Sequence, residues 1–196
     1  MRAPGLALAW AILLATAAPA LAHRSFVKRA ILIEPAAGAR LEVVFTITVP
    51  GGKARGALVL LADRDRDGKL TPGEETNLRA QLTTRALDGV RLQVGSATVA
   101  LADVSTKLRV DPDPSGPLVL MLHGVAPLPP SVERVQISTA DSGDPAELRV
   151  LAGARPVATT SRGKLVSGGF ATTLAPSDAV WWTIKGASAP DGTPPR

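Results

Sequence analysis

The chain has 196 residues, 45% hydrophobic and only 3% aromatic, with 22 Lys and Arg against 17 Asp and Glu for a formal net charge of +5. That length supports one domain with a real core and is short for two. The basic residues are scattered singly with few aromatics between them, which leaves nucleic-acid binding without support. The absence of cysteine excludes a disulfide framework, a lipoprotein attachment and a thiol nucleophile.

The first segment carries Arg2, an apolar run from Leu6 to Ala18 and then Ala20-Leu21-Ala22. A bilayer span needs about 20 apolar residues, and this run is shorter and ends on a small-x-small cleavage pattern, so residues 1–22 read as a secretory signal peptide. The mature chain is then expected to start at His23, to hold no transmembrane segment and to be periplasmic or secreted.

Phe26 to Ile33 and Leu41 to Val49 are apolar runs rich in β-branched residues, with a turn expected at Pro35 to Gly38. In the second run Leu41, Val43, Phe45, Ile47 and Val49 alternate with Glu42, Thr46 and Thr48, the period of a half-buried strand. Pro50-Gly51-Gly52 breaks that pattern. The next segment, Ala54 to Ala62, fits either a buried strand or a helix, and the spacing of Leu58, Leu61 and Ala62 favours a helix with those three on one face. A second helix is better marked. Thr71 is a natural N-cap, Pro72 takes the first helical position, Glu74 completes a Thr-x-x-Glu capping box, and Leu78, Leu82 and Leu87 continue an apolar stripe.

From Gly89 the pattern returns to β. Val90, Leu92 and Val94 alternate, Gly95-Ser96 has the composition of a hairpin turn, and Val99 and Leu101 alternate back. Lys107 to Val110, Leu118 to Leu122, Val132 to Ser138, Leu148 to Leu151, Lys164 to Val166 and Val180 to Ile184 are further short strands between Pro, Gly, Asp and Ser clusters. Short strands at such spacing predict a mainly β chain folded as an antiparallel, Ig-like sandwich. The expected organisation is a signal peptide at 1–22, a β-rich domain at 23–186 with a helix–loop–helix insert at 53–87, and a disordered tail at 187–196.

The loop inside that insert carries the strongest chemical signal. Asp63-Arg64-Asp65-Arg66-Asp67-Gly68-Lys69-Leu70-Thr71-Pro72-Gly73-Glu74 resembles the twelve-residue loop of the EF-hand family at its metal-binding positions. The resemblance implies Ca²⁺ as the cofactor, held by the carboxylates of Asp63, Asp65 and Asp67, the Lys69 carbonyl, Thr71 directly or through water, and Glu74 as the bidentate closing ligand. Gly68 falls where the family's loop turns sharply and Leu70 at its apolar plug. Four carboxylates against Arg64, Arg66 and Lys69 leave a loop charge of one negative, which predicts a Kd on the order of 10⁻⁵–10⁻³ M. The family's hands usually come in pairs. The nearest second candidate, Asp111-Pro112-Asp113-Pro114-Ser115-Gly116, lacks a closing carboxylate and reads as a turn, so Leu70 is expected to pair with another part of the chain or a second molecule.

Other constellations are weaker. An N-terminal His23 offers an amine and an imidazole to Cu²⁺, and with His123 it would resemble the copper brace of periplasmic copper proteins; His123 itself sits in an apolar strand, where a satisfied core histidine is expected. Asp141-Ser142-Gly143 occurs once and reads as an Asx-type loop, not as an aspartic protease dyad. Of Trp181 and Trp182, one is expected in the core and the other half-exposed. The chain shows no G-x-S-x-G elbow and no P-loop. The sequence therefore predicts a calcium-binding protein with a structural or adhesion role, an unidentified protein partner and no enzymatic activity, with periplasmic copper binding through His23 as the alternative.

Overall fold

In a computed structural model of the protein, the structure describes residues 27–129, 134–140, 145–153, 157–160, 162–166 and 168–184. The expected signal peptide, His23, Asp141-Ser142-Gly143 and the expected tail lie outside those residues.

Twelve strands and two helices follow one another in the described chain: β1 (Lys28–Ala36), β2 (Arg40–Val49), α1 (Lys53–Ala62), α2 (Pro72–Leu87), β3 (Val90–Val94), β4 (Ala97–Val99), β5 (Ala102–Val110), β6 (Leu118–Pro127), β7 (Arg134–Thr139), β8 (Ala146–Leu151), β9 (Val157–Thr160), β10 (Lys164–Val166), β11 (Gly169–Leu174) and β12 (Ala179–Ile184). They form a seven-stranded sheet in the order β10-β11-β8-β1-β2-β6-β5 and a five-stranded sheet in the order β4-β3-β7-β12-β9. The protein is thus mainly β in two sheets, and both sheets contribute to one core, as in a β-sandwich.

Period-two alternation decides which face is buried. In β2, Leu41, Val43, Phe45, Ile47 and Val49 all point inward, and in β6 Leu118, Leu120 and Leu122 do the same. The β1–β2–β6 register sets Phe45 between Ile31 and Leu122, so the centre of the larger sheet is a continuous apolar surface. Each such side chain contributes about 1.5–3 kcal/mol on burial. From the smaller sheet, Ile137, Val180 and Trp182 face it, and Trp182 meets Phe170 edge-on at 5.8 Å between ring centroids. Trp181 on the outward side of the same strand is half-buried, with the Arg134 guanidinium 4.9 Å from its ring centre. The Trp182 indole N–H is buried without a hydrogen-bond partner.

Three differences from the sequence-based expectation have physical causes. The first hairpin extends through Ala36, because Pro35 and Ala36 pair with Leu41 and Arg40 and the turn moves to Ala37–Ala39, where Gly38 and Ala39 take positive φ. Every described strand pair is antiparallel except β1–β8, which runs parallel with Ile31 opposite Leu148, and this departs from the expected all-antiparallel sheet. The chain reaches β8 only after laying β7 in the other sheet, so a tight hairpin no longer dictates direction. Strands β9 and β11 were not expected; β11 is Gly-Phe-Ala-Thr-Thr-Leu, where only Phe170 and Leu174 are large and inward, too little contrast for period-two reading.

The two helices sit between β2 and β3. Leu78, Leu82 and Ala86 of α2 are buried in the shared core, and α2 packs against β2, β5 and β6. The buried Arg29 of β1 donates to the Ala86 carbonyl at 3.2 Å, placing a cation on the last turn of α2, where free carbonyls carry partial negative charge. Leu58 and Ala62 of α1 pack against the core as the spacing implies, but Leu61 is 84% exposed and Leu60 is 65% exposed. The expected face of Leu58, Leu61 and Ala62 is therefore corrected, since α1 rests on the body through its Leu58 side and leaves its Leu60–Leu61 side in solvent.

Candidate metal centre

The loop from Asp63 to Thr71 joins α1 and α2, and the two helices are fixed by different devices. At the α2 end the capping box forms in both directions: the Glu74 amide donates to Thr71 Oγ1 at 3.4 Å and the Thr71 amide donates to Glu74 Oε2 at 2.9 Å, with the Thr71 hydroxyl donating to the same oxygen at 2.8 Å. Pro72 at the first helical position lacks an amide that would have no partner there.

The N-terminus of α1, at the far end of that helix from the loop, has no side-chain cap at Gly52. Its anchor is Arg55, whose buried guanidinium donates to the carbonyl of Asp113 and, at 3.1 Å, to that of Gly116. Gly52 adds a backbone bond to the Pro114 carbonyl at 3.0 Å. The backbone at Gly51 lies so close that a Cβ there would sit 1.8 Å from the Ser115 carbonyl oxygen. Residues 111–117 are thus the β5–β6 turn, closed by Asp113 and Ser115 amides donating to the Asp111 and Asp113 carboxylates at 3.0 and 2.8 Å. The Ser115 hydroxyl and amide on Asp113 hold its carboxyl below its ordinary range. This clamp was invisible to sequence reading, because Arg55 and its acceptors lie about sixty residues apart and no local period marks such a contact.

Between these anchors the loop turns its carboxylates onto its own amides. Asp63 accepts from the Arg66 amide at 2.6 Å and the Gly68 amide at 2.8 Å; Asp65 accepts from Asp67 at 3.2 Å, and Asp67 from Lys69 at 2.8 Å. Gly68 has φ of +83°, a conformation that a side chain rarely adopts, and nothing else crowds it, so the backbone turn alone calls for glycine here. Glu74 reaches back from α2 to accept from the Arg64 amide at 2.6 Å, which ties the first turn of α2 to the start of the loop.

Of the six residues implied as ligands, the structure brings one oxygen each from Asp63, Asp65 and Asp67 within 4.8 Å of one another. Asp63 and Glu74 are buried at 5% and 6% exposure, while Asp65 and Asp67 are exposed. Thr71 and Glu74 stand as a hydrogen-bonded pair, and Lys69 enters through its amide. Leu70, expected to pair with another part of the chain or with a second molecule, packs its side chain against the core of its own chain, and its segment is not a strand.

The electrostatics are uneven across the loop. The Thr71 and Arg64 amides, with the Thr71 hydroxyl, hold the Glu74 carboxyl below its ordinary range. For Asp65 the Asp67 amide pulls downward, yet the Asp63 carboxylate, some loss of hydration and the charges of Asp67 and Glu74 outweigh it and push the group up. Carboxylates that raise one another in this way gain from a cation placed among them. The donors are oxygens, the choice of hard divalent cations.

His123 is not a core residue. Its side chain is 43% exposed on the outer face of β6, and its Nε2 lies 2.5 Å from Glu42 Oε2, with Arg40 Nε 3.0 Å from the other oxygen of that carboxylate. The expectation of burial fails because His123 falls on the outward register of a strand whose Leu120 and Leu122 fill the inward one. Compared with known proteins, the chain matches no protein-family model and no curated protein. Among the described residues no helix is long and apolar enough to cross a membrane.

Proposed function

We propose that the protein binds one calcium ion through Asp63, Asp65, Asp67, the Lys69 carbonyl, Thr71 and Glu74, in an EF-hand inserted between β2 and β3 of an Ig-like sandwich. The observation that carries this reading is the convergence of the three aspartate carboxylates in a loop whose following helix starts on Glu74. A helix on each side, Gly68 at positive φ and the buried carboxylates of Asp63 and Glu74 agree with it. The role is structural: the ion neutralises acids that otherwise repel and fixes α1 and α2 to each other on the sandwich. The protein is read as exported to the periplasm or outside, where free calcium is high enough for a weak site, as a binding or adhesion module and not as an enzyme.

Calorimetric titration with Ca²⁺, paired with thermal melts in calcium and in EDTA, tests the site. Free calcium at ten to a hundred times Kd should add about 1.4–2.7 kcal/mol of stability. Glu74→Gln should remove most of that gain while keeping a side chain able to serve the capping box. No heat of binding and an unmoved midpoint in EDTA would sink the proposal.

A further inference from the structure

A second site of different character lies between the sheets. Where the edge strands β4 and β5 face each other, the chain crosses from one sheet to the other through Ala100 and Leu101, and behind this crossing is a space of about 290 Å³. Val43 and Phe45 of the larger sheet form one wall, Leu92 and Ile137 of the smaller sheet the other, and Leu87 and Leu101 also line it. Every residue lining it is apolar. Interiors are otherwise packed to the density of organic crystals, so an apolar hollow of this size forfeits contacts that a guest would restore. It offers no side-chain partner to hold water.

The mouth is built unlike the rest of the edge. The β5–β6 register slips between Ala102 and Ser105, Asp103 takes φ of +50°, and Val104 is 45% exposed while still lining the space. A bulge of this kind re-aims side chains at a sheet edge, and strained backbone collects where a chain serves a site.

We infer that this inter-sheet space is a binding site for a small, neutral, apolar molecule, admitted past the bulge at Asp103–Val104. An apolar cavity of about 150 Å³ accommodates benzene, so this one suits a guest on the order of ten carbons. No side chain in its lining recognises a polar head, and the one charged residue of the crossing segment from Ala97 to Thr106 is the acid Asp103, which disfavours a carboxylate at the entrance. No residue from Asp63 to Glu74 lines it.

N-phenyl-1-naphthylamine fluorescence on the full chain tests it, with decanol and decanoate as competitors. The expected result is saturable dye binding, displaced more readily by decanol than by decanoate. Val99→Phe, which fills the space, and Val104→Trp, which obstructs the mouth without touching the core, should each weaken the dye by about tenfold or more. Leu60→Ser with Leu61→Ser should leave it unchanged. Loss of dye binding in that α1 variant, retention in both pocket variants with an intact melt, or absence of saturation in the parent protein overturns the inference. So does dye binding that disappears as the protein self-associates, since a second copy would then fill the space.

Discussion

Strand β2 and the segment from Asp63 to Glu74 are of similar length and are held by opposite means. β2 buries Leu41, Val43, Phe45, Ile47 and Val49 against two sheets and needs nothing from outside the chain. The loop buries the carboxylates of Asp63 and Glu74, supports each with its own amides, and leaves Asp65 pushed toward protonation by its acidic neighbours. A strand gains free energy by leaving water. A loop of acids gains only when each charge is met, and the amides meet Glu74 better than Asp65. On the proposed reading calcium supplies what the chain lacks, so the sheets and the insert should fail under different insults.

The largest expected effect is on the sheets. Trp182→Ala removes a fully buried ring that packs on Phe170, and should cost about 3–5 kcal/mol in denaturant unfolding, lowering the midpoint for every part of the molecule. Arg55→Ala tests whether the insert is truly separate. It deletes a charged donor shared by two carbonyls of the β5–β6 turn, and about 2–3 kcal/mol of loss is expected. Amide exchange should speed first in α1 and in residues 111–117, and uniform acceleration through β2 would erase the distinction between the two regions. Calcium withdrawal comes next, with the gain given above and protection lost across the helix–loop–helix before the sheets.

Thr71→Ala removes the N-cap of α2 and should cost about 1 kcal/mol, read by thermal melts in EDTA. The smallest effect is on pH dependence. Because Glu74 is held below its ordinary range in the folded loop, its contribution is fully present above the unfolded value. It is lost as pH falls through the lowered one. Calcium-free Glu74→Gln should therefore show a shallower acid limb in pH-dependent melts, and an unchanged limb would mean that its amide bonds do not hold in solution.

The insert was legible in the sequence. The alternation of Asp63, Asp65 and Asp67 and the Thr71-Pro72-x-Glu74 start are written in neighbouring residues, and the capping box appears as read. β2 was equally plain, because one of its faces is wholly apolar. What escaped is non-local or low in contrast. The parallel β1–β8 pairing and the Arg55 clamp depend on partners far along the chain. Strand β11 interposes Ala-Thr-Thr between Phe170 and Leu174, and Leu61 looked inward only because its spacing from Leu58 set both on one helical face.

The position of β1 has a kinetic consequence. It is the first described strand, yet it lies near the middle of the larger sheet, hydrogen-bonded to β2 on one side and to β8 on the other. A growing chain can close the β1–β2 hairpin at once but must wait for most of its remaining length before Leu148 arrives beside Ile31. Until then a row of bare amides and carbonyls flanked by Leu32 and Ile33 is open to any passing strand. The newborn polypeptide is most prone to aggregate in that interval, and a chaperone able to shield this hairpin would raise the yield of native protein.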